Sequence, residues 1–125
     1  MARTELPRPV RQLIEQHIDS APDVDTLLLL GREEGPWTAE AVARELRIDE
    51  HQAAEILTRM RRRGFLRSEG AAYRLAPRDP AIREAVGMLA QLYPTYRVAI
   101  VAMIYARPTG PIRDFSNAFR LRDED

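Results

Sequence analysis

The stretch from Thr38 to Gly64 constrains the fold more than any other part of the chain. Ala39, Val42, Ala43 and Leu46 recur at the spacing that lines one face of a helix, and Ala53, Ile56, Leu57 and Met60 repeat it at i, i+3, i+4 and i+7. Thr38 reads as the cap of the first helix, with Glu40 in its first turn. Asp49 opens the second, with Gln52 three residues on in a variant of the capping box, and Gly64 closes it. Only Arg47-Ile48-Asp49 joins the two, so they must meet at a sharp angle.

The flanking sequence supplies the rest of one globular unit. Val10, Leu13, Ile14, His17 and Ile18 predict a helix with one apolar face. A second, starting after Pro22 with Val24 and Leu27–Leu30, is apolar nearly all round and is expected at the buried centre, with Gly31–Pro36 as a loop behind it. Beyond Gly64 the residues Phe65-Leu66-Arg67 and Ala72–Leu75 read as a short hairpin about Ser68–Ala71, ended by Pro77. Asp79-Pro80 starts a further helix carrying Ile82, Ala85, Val86, Leu89, Leu92 and Tyr93 on one face, and Pro94 should kink or break it. Val98–Ala106 is too short for a bilayer span and too apolar to face water, so something must cover it. Ile112, Phe115, Ala118 and Phe119 mark a last amphipathic helix before an acidic end.

Composition narrows the chemistry. The 125 residues include no cysteine, which removes disulfides, thiolate metal sites and thiol catalysis together. The start lacks the apolar stretch of a secretory signal, so a cytoplasmic location is expected, with no membrane partner. The 19 basic residues, all arginine, balance 19 acids. Their distribution is uneven: residues 1–58 hold 6 Arg against 12 acids, 59–78 hold 7 Arg against Glu69 alone, and 79–125 hold 6 of each. Overall neutrality argues against broad adhesion to nucleic acid but leaves room for one focused basic contact.

The helix, helix, turn, helix, hairpin order resembles the winged helix-turn-helix domain of many bacterial transcription regulators. Trp37-Thr-Ala-Glu-Ala-Val-Ala-Arg-Glu-Leu46 matches the first helix of that motif, Ile56-Leu-Thr-Arg-Met-Arg-Arg-Arg-Gly64-Phe-Leu-Arg67 the recognition helix running into the wing, and Tyr73–Pro77 the second wing strand. The likeness covers roughly residues 20–77. The C-terminal part, from Leu92 to Arg122, is similar to the tail of a group of small bacterial winged-helix proteins. The resemblance implies a mainly α fold, a winged-helix domain over 1–78 and a helical extension over 79–125, and a small regulator that binds double-stranded DNA as a homodimer.

With about 100° per residue, the apolar stripe of the 50–63 helix leaves His51, Glu55, Thr58, Arg59 and Arg62 on its outer side and Gln52 on the flank. His51, Gln52, Glu55, Arg59 and Arg62 are therefore the expected groove readers, and Arg63, Arg67 and Arg74 the phosphate contacts. Glu50 and Glu55 oppose this, because they sit in the amino-terminal half of the helix, where phosphates would repel them. A dimer is expected through Leu89, Leu92, Val98, Val101, Ile104 and Tyr105; the competing reading folds this segment back on the first helix of its own chain. The alternative function is a non-enzymatic adaptor that holds a protein partner through residues 98–121. The two histidines, His17 and His51, have no visible catalytic partners, and neither a metal, a cofactor nor an enzymatic site is expected.

Overall fold

The computed structural model describes residues 6–33 and 35–106. Five helices and one small antiparallel sheet follow in the order α1 (Arg8–His17), α2 (Ala21–Arg32), α3 (Ala39–Leu46), α4 (Glu50–Arg62), β1 (Leu66–Glu69), β2 (Ala72–Leu75) and α5 (Pro80–Ala106). No helix among the described residues is long and apolar enough to cross a membrane.

The local signals act where the sequence puts them. The Thr38 hydroxyl accepts from the Ala41 N–H at 3.1 Å and the Asp49 carboxylate from the Gln52 N–H at 3.2 Å, so both helices of the corner are side-chain capped. Arg47 turns the corner in the left-handed region, φ 60° and ψ 47°, and Gly64 does the same behind α4 with φ 88°. The strands pair in the register Leu66 to Leu75 and Glu69 to Ala72 about a two-residue turn. The sequence reading missed a further pairing: Trp37 bridges Tyr73 through two backbone hydrogen bonds of 2.8 Å, tying the residue before α3 to β2.

One core runs through all five helices. Val10, Leu13 and Ile14 of α1 meet Leu27 and Leu29 of α2, Ile56, Leu57 and Met60 of α4, and Leu89, Ile100 and Ile104 of α5. Two expectations are corrected here. Gly31 is not in a loop: α2 runs on through Arg32, and the missing Cβ lets the Leu75 side chain approach to 3.2 Å from where that atom would lie. Leu89 and Ile104 are not free for a partner copy, because α5 packs along α1 and buries both completely within the single chain. This fold-back buries Ile100 and Ile104 of the apolar run and leaves Val98 85% and Tyr105 53% exposed.

Pro94 does not end α5. The helix continues across a kink at Tyr96, whose φ of −112° and ψ of 28° are not helical. Two polar ties hold α5 to α2: the Tyr105 hydroxyl accepts from the Ala21 N–H at 2.9 Å, and the Tyr93 hydroxyl donates to Asp25 at 3.4 Å. The amphipathic stretch of Ile112, Phe115, Ala118 and Phe119 lies outside the described residues.

Gly87 sits in the interior of α5 with open space around the position a Cβ would take. A helix-interior glycine is less stable than alanine by about 0.5–1 kcal/mol. The variant Gly87→Ala is expected to raise stability by about that amount, read as a higher urea midpoint with an unchanged slope.

Candidate nucleic-acid interface

The outer side of α4 carries the predicted reading residues, and the structure divides them. His51, Gln52, Glu55 and Arg62 are exposed, with Thr58 half-buried between them. His51 Nε2 lies 3.3 Å from Glu55 Oε2, one turn along the helix, so the first two outward-facing groups at the amino-terminal end engage each other. Glu50 is exposed beside them. This half of the helix therefore presents carboxylates where a duplex would bring phosphates.

Arg59 and Arg63 point the other way. Arg59 crosses to the connection between α1 and α2, where its Nη2 donates to Asp23 Oδ1 at 2.6 Å and its Nε stands 3.6 Å from Asp19 Oδ2. Asp23 is wholly buried, and its other bonds come from the Asp19 N–H at 2.8 Å and the Ser20 hydroxyl at 3.2 Å. Arg63, the residue that caps α4 one turn further on, donates to the His17 carbonyl and lies 3.5 Å from Asp19 Oδ2. Their side chains are only 32% and 27% exposed. Arg59, expected to read a groove, and Arg63, expected to meet a phosphate, both stand against acids of their own chain. Asp19 and Asp23 are the partners that sequence reasoning missed.

The hairpin arginines are engaged as well. Arg67 and Arg74 each reach Glu69 Oε2 at 2.8 Å, and this double contact, Arg74 first, holds the Glu69 carboxyl down to about 2. Both stand beside an acid the notion of a free phosphate contact did not provide for. What the basic block leaves unpaired among the described residues is Arg61, Arg62 and Arg78, all exposed. Among the described residues no three His, Asp or Glu side chains gather where they could hold a metal ion.

His17 is a boundary residue. Its ring meets the edge of Phe65 at 5.1 Å, and burial together with the nearby Arg63 charge lowers its pKa from the ordinary 6.5. The folded chain therefore binds this proton less readily than the unfolded chain. Its contribution to stability is full above about 6.5 and is lost as the pH falls through the lowered value. Wild type is expected to lose stability between pH 7.5 and pH 5.5 in urea titrations, and His17→Gln to lose less over the same interval. The Glu69 contribution is separate, present above about 4.5 and lost toward about 2.

Removing one partner of a buried ion pair strands the other, at a cost of about 3–5 kcal/mol. Asp23→Ala and Arg59→Ala are each expected to destabilise by that order, and the double variant by clearly less than the sum, in a urea double-mutant cycle. Near-zero coupling would show that Arg59 faces solvent. A scan of protein-family models, a search of curated proteins and a search of solved structures gave no match to this chain.

Proposed function

We propose that the chain is a winged-helix protein without enzymatic activity that holds another polypeptide, in the first place a second copy of itself, rather than reading duplex DNA. The order α2, α3, tight corner, α4 and hairpin, with Trp37 paired onto the hairpin, supports the winged-helix reading. Fold alone does not choose a ligand, so the choice rests on the site. The carrying observation is the consumption of Arg59 and Arg63 by Asp19 and Asp23. Affinity for a duplex comes largely from cations that replace the counterions of phosphates. With those two arginines committed and Glu50 and Glu55 on the leading half of α4, the outer side of that helix has no net positive charge to offer there.

The surface that asks for cover is the outer side of α5. Pro94, Val98 and Ala102 are exposed there and Val101 is half-buried, with Arg97 the one charge between Glu84 and Ala106. Burying a valine fully is worth about 1.5–3 kcal/mol, so pairing this stripe with its symmetry mate recovers what Val98 forfeits in water. Of the dimer residues expected from sequence, Val98, Val101 and the ring of Tyr105 serve this face, while Leu92, half-buried, packs against the core.

A second reading stays on one specific observation. Arg61, Arg62 and Arg78 carry no ion pair among the described residues, and Arg62 and Arg78 line one hollow, with Arg63 and Asp79, where α4 ends and α5 begins, a corner that suits phosphates. Gel retardation with mixed-sequence duplex at about 50 mM salt separates the two readings. No shift is expected at micromolar protein, and light scattering is expected to give twice the 14.3 kDa chain mass, falling to one chain in Val98→Glu. A shift abolished by Arg62→Glu establishes the DNA reading instead.

A further inference from the structure

We infer that the cleft between α2, the end of β2 and the first turns of α5 is a binding site for a small amphipathic carboxylate. Leu27, Leu28, Leu75 and Val86 form its walls, and Gly87 leaves its α5 side without a side chain. Its volume of about 240 Å³ is that of roughly eight water molecules, enough for an apolar body of about eight carbons and too small for most drug-sized ligands.

Two arginines and no acid line this cleft, in a chain whose acids and bases are equal in number. Arg83 is held at the rim by donating to the Pro77 carbonyl at 3.2 Å, and it forms no ion pair among the described residues. Arg32, also on the lining, is exposed and among the described residues pairs with its neighbour Glu33, at 3.4 Å. An occupant with an apolar body and one anionic end matches both the walls and the rim.

The glycine is the second, independent observation. Gly31 has a packing reason, since Leu75 closes on it, whereas Gly87 has none: nothing lies within 4 Å of the position its Cβ would take. A glycine inside a helix lowers helix stability, and this one faces the cleft. The space it keeps open is the space a ligand body fills.

The test is calorimetric titration of the full chain with sodium octanoate below its micelle concentration, beside octanamide, which lacks the charge, and acetate, which lacks the chain. Saturable binding of one octanoate per chain is expected, at least tenfold tighter than either control. Arg83→Gln is expected to bring octanoate to the octanamide level, and Gly87→Leu to abolish binding while its thermal midpoint stays at or above that of wild type, which shows it folded. The inference is overturned if octanoate gives no saturable heat, or if both variants bind as wild type does. It is also overturned if Gly87→Leu dissociates paired chains in light scattering, since the cleft is then filled by a second copy. The titration outcomes do not depend on the polypeptide-holding function proposed above; the light-scattering outcome rests on the pairing proposed there.

Discussion

The arrangement turns on the buried contact between Asp23 and Arg59. Asp23 lies in the first turn of α2, and Arg59 reaches it from the last turn of α4, 36 residues later. A carboxylate taken wholly out of water must be met by hydrogen bonds and an opposite charge, and the Asp19 N–H, the Ser20 hydroxyl and the guanidinium together meet it. The buried stripe of Ala53, Ile56, Leu57 and Met60 sets which side of α4 faces in, and the same contact draws the Arg59 side chain from the flank of that helix toward α2.

Much of the architecture was legible in residues 38–64, because capping and helical periodicity are local. Thr38, Asp49 and Gly64 each act within a few residues of their own position, and the structure uses each as its chemistry suggests. The kink after Pro94 follows from proline in the same local way. Trp37 meeting Tyr73 is different, since neither residue signals a pairing to a partner 36 positions away.

The candidate site was read less well, and angles explain why. On α4, Arg59 and Arg63 lie one turn apart on one flank, roughly 70–110° from the centre of the apolar stripe, rather than opposite it. A long side chain on a flank can lie along the helix surface toward a buried acid or extend into water. Nothing in the helix itself chooses between these; Asp19 and Asp23 do, and their proximity is a property of the folded chain. Val98 and Ile104 show the same limit: both belong to one apolar run, yet the kink and the course of α1 bury one and expose the other.

The two backbone bonds between Trp37 and Tyr73 have a mechanical consequence. They splice the hairpin to the residue just ahead of the α3 cap, while Phe65 and Leu66, packed in the core, anchor its other end behind α4. A load placed on the tip at Gly70 therefore reaches the chain on both sides of the α3–α4 corner, ahead of α3 through Trp37 and behind α4 through Phe65 and Leu66.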